Sequence, residues 1–199
     1  MSDETDDRAR RRPRKIMEPG EKWLYEQALR YLNRFAATSH KMRRHLLAKA
    51  APHAEALGLD MSTVAADVET VIARLIKAGF LNDTEYAASK ARLMVRDGRS
   101  LAQIEARLQA MEFTEPDRDN AIGALGADRR ALDLKAAAKL VKKRRFGPYR
   151  KADAKEGQRE RELASLARQG FSYDVAVTVI DAGDPETIEA ILYGPADGA

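Results

Sequence analysis

Apolar residues in the middle of the chain recur at helical spacing. Between residues 101 and 111 they fall at every third or fourth position, which places them on one face of an α-helix. Shorter segments with similar spacing lie before and after it. The apolar positions of the three predicted helices are Tyr86 and Leu93, then Leu101, Ile104, Leu108 and Met111, and finally Ala121, Ile122 and Leu125.

Capping residues separate these three segments from one another. Asn82, Ser100 and Thr114 each stand just before an apolar segment, and their side chains can accept hydrogen bonds from the first free N–H groups of a helix. Gly98 follows the first segment, where a residue that tolerates positive φ commonly ends a helix. Residues 82–127 are therefore predicted to form three short helices with tight connections.

A weak internal repeat extends this plan to most of the chain. The repeat indicates three units of the same kind, each too small to bury a large core alone. Tyr25, Leu32, Ser39 and Leu47 recur 61 residues later as Tyr86, Leu93, Ser100 and Leu108, and Leu108, Phe113 and Thr114 recur 58 residues later as Leu166, Phe171 and Ser172. The predicted divisions are a disordered basic tail at 1–20, repeats at 21–81, 82–127 and 128–183, and a C-terminal helix and tail at 184–199.

The first repeat is predicted to contain an insertion between its second and third helices. Its first helix carries an apolar face formed by Leu24, Ala28, Leu32 and Phe35, and Ser39 starts the second helix. Because proline disrupts a helix interior, we expect residues 52–61 to form a connection. The third helix is predicted at 64–78.

The third repeat is predicted to have a longer first helix, at 129–145. Residues 146–149 include a glycine and a proline and should end it, and residues 150–157 are expected to form an exposed loop. Residues 175–180 resemble a strand by propensity alone. Their alignment with the second repeat and the potential cap at Ser172 favour a helix, and a last helix is expected to begin at Pro185.

Composition supports an all-α fold. The chain has 35 alanines among 199 residues and few β-branched or aromatic residues, and alanine has the highest intrinsic helix propensity. Stacked helical repeats bury shared faces and grow in one direction. We therefore predict tandem repeats of three-helix, helix-turn-helix-like units that form an elongated curved array.

Composition also excludes several classes of protein. The chain has no cysteine, which excludes a disulfide scaffold and cysteine-ligated metal sites. No segment approaches the roughly 18 apolar residues of a membrane span, and residues 1–19 lack the apolar core of a secretory signal. A cytoplasmic protein that does not contact membranes is expected, and the sequence offers no sign of its oligomeric state beyond a default expectation of a monomer.

No motif indicates catalysis or a cofactor. Phosphate-binding loops, dinucleotide-binding glycine patterns and a nucleophile elbow are all missing from the sequence. The three histidines, His40, His45 and His53, lack the spacing of four that places two metal ligands on one helical face. We therefore expect neither an enzyme nor a resident metal or cofactor.

Clustered cations are the more informative feature. Seven lysines and arginines lie between residues 139 and 151 with no acidic residue among them, and Tyr149 lies in the same run, where it could stack on a base. Two interpretations stay open: a phosphate-binding patch, or a solvated helix end where cations complement the helix dipole. The candidate contacts in the three repeats are Arg43 and Arg44; Arg92, Arg96, Arg99 and Arg107; and Lys142, Lys143, Arg144, Arg145, Tyr149 and Arg150.

The spacing of the cations in the second repeat suggests a shared face. Arg92, Arg96 and Arg99 follow one another at intervals of four and three, so they would lie on one side of a continuous helix. The basic run near the N-terminus, within residues 8–15, is open to both an inert and a binding role.

Several short motifs occur in a fixed order along the chain. They are Gly79-Phe-Leu-Asn-Asp-Thr-Glu-Tyr-Ala-Ala88, Lys90-Ala-Arg92, Gly98-Arg-Ser100-Leu-Ala-Gln-Ile104-Glu-Ala-Arg-Leu108, Arg144-Arg-Phe-Gly-Pro-Tyr149 and Leu163-Ala-Ser-Leu-Ala-Arg-Gln-Gly-Phe-Ser-Tyr-Asp-Val175. Together they resemble the RecX family of bacterial regulatory proteins. The resemblance extends over about residues 21–183. The segment 52–66, the basic tail and the loop at 150–157 are additions to the shorter family pattern.

The resemblance implies a function as well as a fold. Members of this family are tandem arrays of three-helix units that bind the filament of the RecA recombinase on single-stranded DNA. They limit strand exchange, ATP hydrolysis and the SOS coprotease activity, and some bind DNA directly. By this resemblance we expect a non-enzymatic regulator whose partners are the RecA filament and, in addition, single- or double-stranded DNA.

Two other classes of function stay open from the residues alone. Three-helix units with short turns also resemble helix-turn-helix transcription regulators, which would bind a preferred duplex sequence as a two-fold dimer. A helical scaffold for another protein is the third hypothesis.

Overall fold

The structure is a computed structural model that describes residues 16–126, 128–150 and 157–194. The basic run at 8–15 and most of the predicted loop at 150–157, with Lys151, lie outside the described residues. Throughout the described ranges the regular structure is helical, which confirms the predicted all-α class. The α-helices are α1 (Glu21–Leu32), α2 (Ser39–Leu57), α3 (Met61–Lys77), α4 (Asp83–Arg96), α5 (Leu101–Ala110), α6 (Glu115–Gly123), α7 (Arg129–Arg144), α8 (Gln158–Arg168), α9 (Tyr173–Ile180) and α10 (Pro185–Tyr193).

The described residues divide into two compact units, with the boundary between Leu81 and Asn82. In the first unit, α1, α2 and α3 bury one apolar cluster. Its fully or almost fully buried side chains include Leu24 of α1, Met42 and Leu46 of α2, and Val68 and Leu75 of α3. Helix α3 buries one face, formed by Val64, Val68, Val71, Ile72 and Leu75.

The predicted connection at 52–61 is wrong. Helix α2 continues through Pro52, and three residues separate it from α3. Proline inside a helix costs about 3 kcal/mol or more, because it removes a hydrogen bond and clashes with the preceding turn. Pro52 lies on the exposed side of α2, while Ala50 and Ala54 are completely buried on the other side. Packing of that buried face therefore overrides the local signal of the proline.

Two residues assigned to buried helical faces are exposed instead. Phe35 lies three residues beyond the end of α1 and is 58% exposed, because the helix ends at Leu32. Leu93 is in α4 as predicted, but the buried side of α4 is formed by Ala87, Ala88 and Ala91. Small side chains on this face let α4 approach its neighbours closely.

The second unit contains two adjacent apolar clusters. Helices α4, α5 and α6 surround the first, with Ile104, Leu108 and Phe113 at its centre. Helices α7 to α10 surround the second, to which α8 contributes Leu166 and α10 contributes Ile188. Residues 175–180 are helical in α9, as the repeat alignment and the position of Ser172 indicated.

The structure corrects the register of the first repeat by one residue. Thr38 and Ser100 are the corresponding caps of α2 and α5, and they are 62 residues apart rather than 61. The buried residues Met42 and Ile104 show the same offset. The sequence identity between Ser39 and Ser100 is therefore displaced from the structural equivalence.

The offset of 58 between the second and third repeats is confirmed by the structure. It holds for a buried leucine of the second helix, for the aromatic residue that follows that helix, and for the N-cap residue and the buried face of the third helix. The matched pairs are Leu108 and Leu166, Phe113 and Phe171, Thr114 and Ser172, Ala121 and Val179, and Ile122 and Ile180.

Partly buried hydrogen bonds join the two clusters of the second unit. The Ser100 hydroxyl donates to the Gln169 carbonyl oxygen at 2.6 Å, and the Leu101 N–H donates to the Asp133 carboxylate at 2.8 Å. Burial raises the pKa of Asp133, although the Leu101 N–H acts in the opposite direction. Leu132 of α7 also packs against the cluster of α4 to α6. These contacts fix α5 relative to α7 and α8 and so determine the shape of the surface described below.

Candidate functional site

The arginines of the second repeat do not share a continuous helical face. Helix α4 ends at Arg96, and Gly98 turns the chain with a φ of 77°. Arg99 therefore lies in the connection to α5, so the prediction that it continues the face of Arg92 and Arg96 is wrong. The turn instead directs this part of the chain toward α7.

The C-terminal half of α7 and this turn enclose a basic cleft with a volume of about 510 Å³. We call it the basic cleft and define it by the cations that line it: Arg99, Lys139, Lys143 and Arg144. Asp97 is the acidic residue on its wall. Four cations against one carboxylate give the cleft a net positive charge.

Local contacts hold the walls of the basic cleft in place. The Lys139 ammonium donates to the Arg96 carbonyl oxygen at 3.2 Å, which satisfies a carbonyl at the end of α4. The Arg144 guanidinium lies 3.3 Å from the Ser165 hydroxyl. A Cβ atom at Gly98 would lie 3.4 Å from Cβ of Lys139, so the turn and α7 are in close contact. Both clusters of the second unit thus contribute to the cleft.

A second groove adjoins the basic cleft. It has a volume of about 580 Å³, shares Asp97 and Arg99 with the basic cleft, and extends along α5 to Arg107. Arg99 therefore lies between the two concavities, with Arg107 on one side and Lys143 on the other. The structure brings together these predicted contacts from α5, α7 and the turn.

This arrangement suits an anion with several separated charges. Lysine and arginine can donate hydrogen bonds to phosphate oxygens, and arginine can do so through two N–H groups. The cations also lie near the C-terminal ends of α4 and α7, where they complement the helix dipoles. The dipole interaction and phosphate binding use the same charges, so one does not exclude the other.

Two predicted contacts at the end of α7 are engaged within the fold. Lys142 forms an ion pair with Glu189 at 2.7 Å, and this hydrogen bond raises the pKa of the lysine. The Tyr149 hydroxyl lies 3.0 Å from the same carboxylate, and its ring packs against the cluster of α7 to α10. Burial is the main cause of the raised pKa of Tyr149. The ring of Tyr149 is therefore half-buried against the core, and its hydroxyl is engaged with Glu189.

Arg150 also has a structural partner. Its guanidinium donates to both carboxylate oxygens of Glu162, at 3.1 and 2.6 Å, and the Glu162 side chain is 1% exposed. The Gly147 N–H donates to the same carboxylate at 2.9 Å. Arg150 therefore compensates a buried charge.

The other predicted contacts lie on exposed surfaces. Arg92 pairs with Glu85 at 2.6 Å, Arg43 forms a two-point ion pair with Glu69, and Arg44 is exposed on α2 of the first unit. Arg96 and Arg145 are exposed at the ends of α4 and α7. Arg145 has a φ of 57° and ends α7 in the left-handed conformation.

Lys139 was in the basic run of the sequence but was not among the predicted contacts. Its distance of four residues from Lys143 places both on one face of α7, and this spacing is the sequence signal that could have identified it. The contact of Ser165 with Arg144 had no comparable signal, because tertiary folding alone brings these two residues together.

The described ranges contain no group of three or more histidine, aspartate or glutamate side chains placed to hold a metal ion. In the same ranges, no helix combines the length and apolar character that crossing a membrane requires.

Comparison with known proteins identifies the family. No protein-family model matches the sequence. Regulatory protein RecX of Myxococcus xanthus (strain DK1622) is 34% identical over 181 residues, which are 90% of this chain and 94% of the relative. The chain belongs to the RecX family. RecX proteins of Agrobacterium fabrum (strain C58) and Leptothrix cholodnii (strain ATCC 51168) are 31% and 34% identical over 85% and 82% of the chain, and cover 88% and 90% of those relatives.

Solved structures of RecX proteins have the same fold. A crystal structure of a regulatory protein RecX matches 81% of this chain and 71% of its own length, with a TM-score of 0.58 and 22% identity. RecX from Lactobacillus salivarius matches 80% of this chain and 94% of its own length, with a TM-score of 0.60 and 21% identity. The curated relatives are named regulatory proteins, and their names describe no catalytic activity.

Proposed function

We propose that this RecX family member binds the RecA–single-stranded DNA filament and inhibits its recombinase, ATPase and SOS coprotease activities, and thereby regulates DNA repair. Membership of the RecX family is the observation that carries the proposal. The protein acts by binding rather than by catalysis, as a cytoplasmic monomer without a cofactor. In this proposal its three helical repeats, with boundaries at 82, 128 and 184, supply the binding surface.

The basic cleft and the adjoining groove are the proposed contact surface of the second unit. Arg99 and Lys143 are the central contacts, and Arg107 and Arg144 extend the surface on either side. Arg96 and Arg145 contribute from the nearby helix ends. A nucleoprotein filament offers both phosphates and acidic side chains to such a surface. Several moderate contacts along a repeating lattice together produce high avidity.

The first experiment measures the single-stranded-DNA-dependent ATPase of the cognate RecA, titrated with this protein at fixed salt. We expect the rate to fall at or below one protein per RecA protomer. Co-sedimentation with the filament provides an independent measure of binding. An unchanged ATPase rate together with absent co-sedimentation would contradict the proposed function.

A charge-reversal variant tests the surface itself. Arg99→Glu combined with Lys143→Glu should weaken filament binding and inhibition, while circular dichroism shows an intact helical fold. Lys22→Glu combined with Arg161→Glu makes the same change in net charge at exposed positions outside both clefts and should inhibit like the native protein. Equal losses in the two double variants would show that net charge, rather than the basic cleft, is responsible.

A further inference from the structure

The first unit has a separate cleft between the C-terminal end of α1 and helix α2. Its volume is about 340 Å³. We call it the aromatic cleft and define it by six of the residues that line it: Arg30, Tyr31, Arg34, Phe35, His45 and Lys49. The cleft combines three ring side chains with three cations, and sequence patterns did not predict it.

The rings form a contiguous group at the wall of the aromatic cleft. The centroids of Tyr31 and Phe35 are 5.4 Å apart, and those of Tyr31 and His45 are 4.4 Å apart. Burial, with Lys49 and Lys41, lowers the pKa of His45, which favours a neutral imidazole near pH 7. Tyr31 thus joins the other two rings and supports Phe35 from one side.

Phe35 presents its ring to solvent at the end of this group. The Phe35 N–H donates to the Tyr31 carbonyl oxygen at 3.0 Å, which holds its backbone against the last turn of α1. Its side chain is nevertheless 58% exposed, so a planar apolar surface is available at a fixed place. A ring of this kind is a suitable stacking partner for an unpaired base.

The charges around Phe35 match a nucleic-acid backbone. Arg30, Arg34 and Lys49 line the cleft, and among the described residues no carboxylate does. Glu26 approaches Arg30 from outside the cleft at 3.7 Å, and both side chains are largely solvated, so this pair contributes little. An exposed ring surrounded by cations is the combination that proteins use to bind single strands without sequence preference.

We propose that the aromatic cleft is a binding site for single-stranded nucleic acid. An unpaired base stacks on Phe35, and the phosphates next to it contact Arg34 and Lys49. A paired base within a duplex has no free face for this contact, so the site discriminates against duplexes. The inference rests on the proposed function for its biological setting, in which the partner filament contains single-stranded DNA.

The test measures fluorescence anisotropy of a labelled 20-nucleotide oligothymidylate with the full-length protein in the absence of RecA. Phe35→Ala should lower affinity about tenfold, the scale measured for loss of one base–aromatic stack. Phe35→Trp should retain affinity and Phe35→Leu should not, because leucine keeps the apolar area but loses the planar ring. Phe80→Ala is the matched control: Phe80 is 53% exposed in the same unit, lies outside the cleft, and its loss should leave affinity unchanged.

The salt dependence of oligonucleotide binding tests the role of the cations. Arg34→Gln should reduce the dependence of log affinity on log salt concentration by about 0.7 per lost phosphate contact with a single strand. Lys77→Gln, at the exposed end of α3, is the control and should leave the slope unchanged. A duplex of the same length should bind less tightly than the single strand, and Phe35→Ala should not alter its affinity.

Several results would overturn the proposal. They are absence of oligonucleotide binding by the native protein, equal effects of Phe35→Ala and Phe80→Ala, and full binding by Phe35→Leu. Loss of filament co-sedimentation in Phe35→Ala with unchanged oligonucleotide affinity would show that the cleft contacts protein instead. RecA inhibition is measured separately, so failure of this site with intact inhibition leaves the proposed function standing.

Discussion

Glu162 occupies, in α8, the position that the apolar Ile104 occupies in α5, 58 residues earlier. A buried carboxylate is unfavourable unless it is paired and hydrogen-bonded. Here Arg150 and the Gly147 N–H provide the compensation, and Gln158 lies 3.3 Å from the same group. Arg150 and Gln158 flank the segment 151–156, so this carboxylate joins the two ends of the predicted loop.

Removing the cation should therefore be costly. We expect Arg150→Ala to lower the free energy of unfolding by about 3 kcal/mol, because a buried charge loses its partner. Adding Glu162→Ile should make the combined loss smaller than the sum of the two single losses. Arg159→Ala breaks a solvated pair with Asp181 and should cost much less than Arg150→Ala. Urea unfolding measures these differences for Arg150→Ala, Glu162→Ile, the double variant and Arg159→Ala. If the losses of the two single variants added exactly in the double variant, the proposed pairing would be contradicted.

The Glu162 carboxylate should also cause part of the loss of folding stability at acidic pH. Burial alone would raise the pKa of Glu162, but the hydrogen bonds from Arg150 and Gly147 outweigh it and hold the pKa below the usual 4.5. The folded state thus binds this proton more weakly than the unfolded state. Its contribution to stability is complete above about pH 5 and is lost as the pH falls through the folded pKa. Glu162→Gln should show a smaller stability loss between about pH 5 and pH 3 than the native protein, and urea unfolding at both values measures it.

Gly147 is a second residue whose identity the fold requires. Its φ is 53°, and a Cβ atom there would lie 2.8 Å from the Ile180 carbonyl oxygen at the end of α9. Gly147→Ala should destabilise the second unit by about 1–3 kcal/mol, the range for a strained backbone conformation. Gly123→Ala, in helical conformation with open space around it, should instead be neutral or stabilising by up to about 1 kcal/mol. Thermal unfolding that shows the same change for both would refute this explanation.

At the scale of helices, the capping residues differ in what they contribute. Ser100 accepts a hydrogen bond from the Gln103 N–H and donates one to Gln169, so it both starts α5 and joins it to α8. Ser172 is the N-cap residue of α9, but its hydroxyl bonds to the Asp174 carboxylate and makes no cap hydrogen bond. Two serines at N-cap positions thus have unequal structural roles.

Alanine substitution should separate these roles. Ser100→Ala should cost about 2 kcal/mol, because a helix cap and a partly buried inter-helix hydrogen bond are lost together. Ser172→Ala should cost about 0.5 kcal/mol or less, as at ordinary surface positions. Chemical denaturation of the two variants measures the difference, and equal costs would mean that neither the cap hydrogen bond nor the bond to Gln169 contributes to stability.

At the scale of the whole molecule, the chain has two compact units with separate cores. The cluster of α1, α2 and α3 lies entirely within residues up to Leu81. The two clusters of the second unit share the hydrogen bonds of Ser100 and Asp133 and form one compact body. A core made only from residues of its own unit gives each unit the means to fold by itself.

A fragment of residues 82–199 should therefore fold alone. We expect a helical circular dichroism spectrum, a cooperative urea transition and dispersed methyl resonances in the NMR spectrum of the fragment. The Ser100→Ala substitution should destabilise the fragment and the full chain by similar amounts. A fragment without cooperative unfolding would contradict the assignment of an independent core to this unit.

Local chemistry explains which features could be predicted. The all-α class and most helix limits follow from apolar spacing and capping residues, and the family follows from short motifs. All of these signals are contained in residues that are close in the sequence. Pro52 is the instructive failure: its local signal is strong, but Ala50 and Ala54 are buried in the core, and the helix continues. Likewise, Arg99 has the sequence spacing of a helical face, yet Gly98 ends the helix first.

The sequence alone determined that the chain is helical, built from related units and a member of the RecX family, because these properties depend on periodicity and local motifs. Only the tertiary structure decided which cations are available for binding. It paired Arg150 with Glu162 and packed Tyr149 against the core, assembled the basic cleft from α7 and the turn at Gly98, and left Phe35 exposed. Charge and burial depend on neighbours that are distant in the sequence, and packing alone brings those neighbours together.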